Sequence, residues 1–186
     1  GGGKKGSSTA ASDPLVELSH AVVDLVLAQP LVGHLLGRID RILTEATPTL
    51  GLYVGRDRIA LLVNPDYFAG LSSRAMRVAV LRHEVLHLLF GHPFRTDLAH
   101  VDLHLFGAAA DLVVNEHVGS WPLPADAVTH PWAEGPPLEP GSTLDAYYAA
   151  LLLDRAEQED RLCDACAKPA IWHSDHRFWR RSPADL

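Results

Sequence analysis

Cysteine is scarce in this sequence, which argues against a fold stabilised by a network of disulfides. The chain of 186 residues contains two cysteines, Cys163 and Cys166, which are separated by two positions. Disulfide-rich secreted domains distribute their cysteines along the chain, whereas a single C-x-x-C pair fits a protein in a reducing compartment. We therefore expect a cytoplasmic protein.

The sequence also lacks a long apolar run and an excess of positive charge. Its first apolar stretch is interrupted by Glu17, His20 and Asp24, which excludes both a signal sequence and a membrane-spanning helix. The formal net charge is -7 at pH 7, whereas binding to nucleic acid or to anionic lipid requires a basic surface. We therefore expect no nucleic-acid partner and no membrane partner.

Length and composition predict one main domain. With 186 residues, of which 47% are hydrophobic, the chain is long enough for one hydrophobic core and short for two. Residues 1–12 are rich in glycine, serine and lysine and contain no initiating methionine, so we expect a disordered linker or a cloning remnant. We assign residues 13–155 to the main domain and residues 156–186 to a C-terminal tail.

The patterning of apolar residues predicts a mainly helical α+β fold with a small sheet. Helical spacing and capping residues predict five helices, over residues 14–28, 30–47, 73–91, 100–117 and 144–155. Two short β-prone runs, Leu50–Val54 and Ile59–Val63, predict a hairpin or two neighbouring strands, which we expect to pack on the third helix. Six prolines between residues 120 and 141 predict an ordered but irregular loop.

The motif His83-Glu84-Val85-Leu86-His87 lies in the last turns of the third predicted helix. Residues four apart project from one face of a helix, so His83 and His87 can each direct one ring nitrogen at the same tetrahedral metal ion. Glu84 is about 100° further round the helix, where it can act as general base on a water molecule at the ion. The surrounding apolar residues predict a buried helix, in which ionisable groups are costly unless they bind a metal or pair. The motif therefore predicts a catalytic zinc site.

A catalytic zinc ion needs a third protein ligand and an open fourth position. We favour Asp111, because the small residues 108–110 allow the next helix to approach the motif closely. Asp111 can instead cap a helix or pair with an arginine. Asn115, four residues later on the same helix face, is expected to support Asp111 from outside the metal site. The alternative third ligands are His92, Glu116 and His104.

Three segments of the chain together resemble the bacterial putative metallopeptidase domain. They are Ile59–Pro65, Leu81–His92 and Ala109–Asn115, and the likeness covers residues 14–118. Members of that family are often joined to a von Willebrand factor A-like domain and encoded near MoxR-type AAA ATPases. The resemblance therefore implies that one of these proteins is a partner. The present chain leaves no room for a complete von Willebrand domain, so it is either a fragment or a stand-alone member.

The resemblance implies a zincin-like fold and assigns roles to the residues of the motif. It implies zinc bound by His83 and His87, with Glu84 catalytic and Asp111 at the position of an aspartate of the family pattern. It also implies that the strand predicted over residues 59–63 lies at the edge of the sheet and binds an extended substrate by β-addition. The side chains on that substrate edge would be Ile59, Leu61 and Val63.

The tail contains a candidate second metal site. Cys163, Cys166, His173 and His176 form C-x-x-C and H-x-x-H pairs, although the gap between the pairs is shorter than in a zinc finger. Alternatively, aromatic residues anchor the tail over the active site, where His176 stabilises an oxyanion. The two thiols can also be a reducible or an inert pair. We expect the core residues of the tail to be Trp172 and Trp179.

The leading function is a zinc-dependent metallopeptidase that hydrolyses an extended peptide or protein segment. Two alternatives use the same residues. One is a catalytically weak module that holds a peptide within an ATPase-associated complex, and the other is a zinc amidohydrolase that acts on a small amide. The presence of Glu84 favours an enzyme over a binding module, because only hydrolysis needs a general base.

Overall fold

The structure, a computed structural model, describes residues 13–95, 101–131, 136–160 and 179, with the backbone alone for residues 157–160. The helices in these ranges are α1 (Pro14–Ala28), α2 (Pro30–Leu36), α3 (Pro65–Gly70), α4 (Arg74–Leu89), α5 (Leu103–Glu116) and α6 (Leu144–Asp160). A 3-10 turn covers His92–Phe94, and the strands are β1 (Asp40–Leu43), β2 (Leu50–Val54) and β3 (Ile59–Val63). The predicted α+β class with a small sheet is therefore confirmed.

The three strands form one sheet in the order β1-β3-β2. β3 pairs in parallel with β1, where Ala60 lies opposite Asp40, and antiparallel with β2, where Val63 lies opposite Leu50. The antiparallel pairing confirms the hairpin predicted from the two β-prone runs. The parallel partner β1 comes from a segment that we predicted to be helical.

The prediction that Ile59, Leu61 and Val63 belong to an edge strand is wrong. β3 is the central strand, and its residues from Ala60 to Val63 are all buried. The sequence contains the reason, because a strand without any polar residue is typical of one that is covered on both faces. A substrate strand cannot add to β3, since both of its backbone edges are already paired.

The second helix is shorter than predicted. α2 ends at Leu36, and the chain then enters β1 instead of continuing as a helix to residue 47. Arg41 donates from Nη1 to the backbone carbonyl of Leu36 at 2.8 Å, which satisfies one of the carbonyls that a helix end leaves unpaired. The apolar residues Ile42 and Leu43 are half-buried in β1, so pairing with β3 outweighs the helical spacing of these positions.

A short helix, α3, follows β3 where only the end of a strand was predicted. Asn64 caps this helix, because its Oδ1 accepts from the backbone N–H of Tyr67 at 2.9 Å. The Nδ2 of the same side chain donates to the carbonyl of Thr47 at 2.9 Å. Asn64 therefore closes the sheet and begins the helix, and Pro65 occupies the first helical position, where a missing N–H costs nothing.

α4 is the helix around which the other elements pack, and it has the predicted ends. Ser73 caps its start by accepting from the backbone N–H of Met76 at 3.1 Å. Gly91 follows its end with a φ of 72°, a left-handed conformation that glycine adopts without strain. α1, α2, α5 and β2 all contact α4. None of the helices that the structure describes is both long and apolar enough to cross a bilayer.

The proline-rich segment is irregular in the parts that the structure describes, residues 120–131 and 136–141, as predicted. Glu116 attaches it to the helices, since its carboxylate accepts from the backbone N–H of Gly141 at 3.0 Å and from the hydroxyl of Tyr147 at 2.6 Å. Thr143 caps α6 by accepting from the backbone N–H of Ala146 at 3.2 Å. α6 continues to Asp160, five residues past its predicted end.

Asp102 caps α5, and its removal should destabilise the protein. Its Oδ1 accepts from the backbone N–H groups of His104 and Leu105 at 2.9 and 3.1 Å, and its Oδ2 pairs with Arg155. We predict that Asp102→Ala lowers the free energy of unfolding by about 1 kcal/mol, measured by urea denaturation at neutral pH. Asp102→Asn keeps an oxygen that can cap the helix, so it should lower the free energy of unfolding by less than Asp102→Ala does.

The same residue predicts a pH dependence of stability. Burial raises the pKa of Asp102, but the two backbone N–H groups and Arg155 outweigh burial and hold the pKa below its usual value of 3.8. The stabilisation by the carboxylate is therefore complete above the usual pKa and is lost as the pH falls through the lower pKa of the folded state. The difference in unfolding free energy between the wild type and Asp102→Ala should shrink below about pH 4. A constant difference across this range would contradict the assignment.

Candidate metal centre

Two packed helices, α4 and α5, bring three candidate metal ligands together. His83 and His87 lie one turn apart on α4, Asp111 lies on α5, and all three side chains are fully buried. The small buried residues before Asp111 divide between two neighbours, because Ala110 packs in the main core with α4, whereas Ala108 and Ala109 pack against Tyr147 and Leu151 of α6. The arrangement joins the motif of one helix to the carboxylate of the next, as the sequence predicted.

The ligand atoms of the three side chains converge on one point. The Nε2 atom of His87 is 2.9 Å from the Nε2 atom of His83 and 3.1 Å from Oδ1 of Asp111. The Nε2 atom of His83 is 3.3 Å from the same Oδ1. Among the residues that the structure describes, His83, His87 and Asp111 form the one group whose potential ligand atoms all lie within 4.8 Å of one another.

The three atoms fit a zinc ion in separation and in chemistry. Zinc bound at about 2.0–2.1 Å in a tetrahedron separates its ligand atoms by about 3.3 Å. The observed separations of 2.9, 3.1 and 3.3 Å correspond to one face of such a tetrahedron. Two imidazoles and one carboxylate are also the kind of ligand set that catalytic zinc sites combine with an open fourth position.

The electrostatic surroundings of the three ligands favour a cation. Burial lowers the pKa of His83, but the hydrogen bond and the negative charge of Asp111, the charge of Glu84 and the hydrogen bond to Asn115 outweigh it and raise the pKa above 6.5. Glu84 itself is buried, with 1% of its surface exposed. Buried carboxylates are costly without a positive partner. A metal ion held by the histidines would add a positive charge to these buried, acidic surroundings.

Asn115 supports the site through His83. Its Oδ1 lies 2.7 Å from Nδ1 of His83, and its Nδ2 donates to the backbone carbonyl of Val128 at 2.8 Å. The bond to Val128 fixes which end of the amide faces the imidazole, so Nδ1 of His83 donates its proton to Asn115. Nε2 of His83 then keeps a lone pair directed at Asp111 and His87, as a metal ligand requires. We expected Asn115 to support Asp111, and the structure places this support at His83.

Removal of Asn115 should weaken metal binding without removing a ligand. We predict that Asn115→Ala lowers the affinity for zinc by about 10–100-fold, because the orientation and tautomer of His83 are no longer fixed. Competition with a chromogenic chelator measures this affinity. Asn115→Asp separates the two contacts, since a carboxylate still accepts the proton of Nδ1 but cannot donate to Val128, and it should retain more affinity than the alanine variant. An alanine variant that binds zinc as tightly as the wild type would show that the contact does not support the site.

The alternative ligands predicted from the sequence lie outside the converging group. Nδ1 of His92 is 2.9 Å from Nδ1 of His87, which is the side of that ring opposite its Nε2 atom. Glu116 belongs to another cluster, where its Oε1 is 3.0 Å from Nε2 of His130. His104 is exposed near the start of α5. His92 therefore contacts the ring nitrogen of His87 that does not face the site. Its spacing from the motif did not predict this position.

One residue of the tail, Trp179, contacts the candidate site. Its indole ring lies edge-on to the imidazole of His87 with 5.3 Å between ring centroids, and 6.2 Å from the ring of Phe106. The side chain is buried, so the prediction that Trp179 is a core residue is confirmed. The second predicted metal site lies entirely outside the described residues, as does Trp172; its members are Cys163, Cys166, His173 and His176.

A buried His-His-Asp group with a buried glutamate beside it is compatible with the class of metal-dependent hydrolases. The model of a family described as a putative metallopeptidase domain matches residues 15–171. The chain belongs to this family, and the match extends well beyond residues 14–118, where the resemblance was seen. Comparisons with curated proteins and with solved structures gave no significant match.

Proposed function

We propose that this protein is a zinc-dependent metallopeptidase of the His-Glu-x-x-His type with a zincin-like active site. The observation that supports the proposal is the convergence of two imidazole nitrogens and one carboxylate oxygen within 3.3 Å of one another. Zinc would be held by His83, His87 and Asp111, and when bound it would polarise a peptide carbonyl and lower the pKa of a water molecule. Membership of the metallopeptidase family makes a peptide or protein the expected substrate.

Glu84 is the residue that we propose to move the proton. It follows His83 directly on α4, and its side chain is buried like those of the three candidate ligands. Glu84 accepts a proton from the attacking water as the new carbon–oxygen bond forms. It then donates this proton to the leaving amine as the carbon–nitrogen bond breaks, which restores the carboxylate.

A peptide library derived from a whole proteome tests the proposed activity without a known substrate. The zinc-loaded protein should produce new peptide termini that mass spectrometry detects, and removal of the metal by a chelator should stop their formation. Restoring zinc should restore cleavage. His87→Ala, prepared in the same way, should give none of these termini because it lacks a ligand. The absence of zinc-dependent cleavage throughout the library, or equal cleavage by His87→Ala, would contradict a peptidase function.

A further inference from the structure

An open pocket lies at the end of α4 that carries His87. Its volume is about 680 Å³, within the range of ligand-binding sites in proteins. Its walls come from the junction of α2 and β1, the turn between β2 and β3, the end of α4 and the 3-10 turn. We call it the arginine-rimmed pocket and define it by six of its lining residues, Arg38, Arg56, Arg58, Leu88, Leu89 and Phe94.

The apolar part of this pocket is accessible to solvent. Leu89 is 44% exposed and Phe94 is 52% exposed, and the half-buried Leu88 and Ile59 also line the pocket. Large apolar side chains that face water at a concave surface are a feature of binding sites rather than of an ordinary surface. The pocket can therefore hold a large apolar side chain of a ligand.

The charged rim of the pocket favours an acidic ligand. Arg38, Arg56 and Arg58 are all exposed, and they outnumber the two lining carboxylates, Asp40 and Asp57. The salt bridges that arginines form within the described residues involve Arg74, Arg77, Arg95 and Arg155, and none of the three rim arginines. The whole chain carries a net charge of -7, so the excess of positive charge at this rim is opposite in sign to that of the chain and favours an acidic ligand here.

The pocket and the candidate metal centre share helix α4. Leu88 and Leu89 follow His87 in the chain. Phe94 closes the 3-10 turn that begins at His92, and Nδ1 of His92 is 2.9 Å from Nδ1 of His87. A segment bound in the pocket would therefore lie next to the helix end that carries the metal ligand.

We propose that the arginine-rimmed pocket binds a peptide segment in which acidic residues flank one large apolar side chain. The apolar side chain enters between Leu88, Leu89 and Phe94, and the flanking carboxylates pair with guanidinium groups of the rim. The pocket thereby determines which segments are brought to the metal centre. The selection of segments for the metal centre rests on the proposed peptidase function, whereas binding itself needs no hydrolysis and can be tested separately.

Fluorescence anisotropy tests the pocket directly. The probes are fluorescein-labelled nonapeptides with a central Phe, Leu or Trp and two glutamates on each side. The protein is the full chain with Glu84→Gln, so that the peptide is not consumed. We expect Arg56→Gln combined with Arg58→Gln to weaken binding about tenfold and to reduce its dependence on salt. Phe94→Ser should weaken binding by a similar factor, and exchanging the central residue of the peptide for serine should do the same.

Arg74→Gln is the matched control for the loss of positive charge. Arg74 is an exposed arginine at the opposite end of α4, about 21 Å from Leu88 along the helix. This variant should bind the peptides like the parent protein. Thermal denaturation checks that all variants are folded.

Three results would overturn the pocket assignment. They are the absence of peptide binding, equal binding by the Arg56→Gln, Arg58→Gln variant, and equal binding of the peptide with a central serine. The proposed peptidase function has separate outcomes. Zinc-dependent cleavage without peptide binding overturns the pocket alone, whereas peptide binding without any cleavage overturns the peptidase function alone.

Discussion

Replacement of Glu84 by glutamine is expected to lower the rate of peptide hydrolysis by about 10²–10⁴-fold while zinc stays bound. Glutamine has nearly the shape of glutamate but cannot accept the proton of the attacking water. The three ligands that we propose, His83, His87 and Asp111, are unchanged in this variant. The rate is measured on a peptide that the library experiment identifies, and the zinc content by elemental analysis of the same preparation.

Glu45→Gln is the control for this prediction, because Glu45 is an exposed residue in the turn before β2. Glu45→Gln removes the same charge as Glu84→Gln, and its rate of peptide hydrolysis should equal that of the wild type. Hydrolysis by Glu84→Gln at the wild-type rate would exclude Glu84 as the general base. Loss of zinc together with activity would show instead that Glu84 holds the metal.

Replacement of Asp111 by alanine is expected to lower the affinity for zinc by more than about 100-fold. The loss of a residue that only orients a ligand already costs about 10–100-fold, and we propose that Asp111 supplies a ligand atom itself. Its Oδ1 is 3.1 Å from the Nε2 atom of His87 and 3.3 Å from that of His83. This oxygen therefore already lies where a third ligand atom would be. Titration against a competing chelator gives the affinity.

A structural role for Asp111 predicts a different result. If its carboxylate only paired with the two histidines, alanine would lower the unfolding free energy but leave the folded fraction with wild-type zinc affinity. The affinity is therefore compared at equal folded fraction, which circular dichroism monitors. Asp126→Ala is the control, because Asp126 is exposed in the proline-rich segment. Wild-type affinity in Asp111→Ala would remove Asp111 from the ligand set.

The candidate metal centre could largely be predicted because its geometry is local. The i, i+4 spacing of His83 and His87 places both rings on one face of α4 whatever the rest of the fold does. Asp111 required one further inference, that the next helix packs against the motif; the structure has this contact, but two of the three alanines that suggested it, Ala108 and Ala109, pack against α6. Asn115 contacts His83 and not, as we had expected, Asp111, and its amide is held by the carbonyl of Val128. No local sequence pattern specifies the path of the loop that carries Val128.

The parts that could not be predicted depend on contacts between distant segments. Ile42 and Leu43 fit a helical spacing as well as a strand, and the choice is made by parallel pairing of β1 with β3, about twenty positions further along the chain. The same pairing converts β3 from an edge strand to the central strand. The arginine-rimmed pocket combines four separate stretches of chain, so its residues form no motif in the sequence.

The zinc content of the wild type and of His87→Ala, purified side by side under mild conditions, is the most direct test of the metal centre. Any metal bound by the cysteines and histidines of the tail contributes equally to both proteins and cancels in the difference. We predict that the wild type holds one zinc ion per chain more than the variant. Equal zinc content in the two folded proteins would contradict a zinc site at His83, His87 and Asp111, and with it the proposed function.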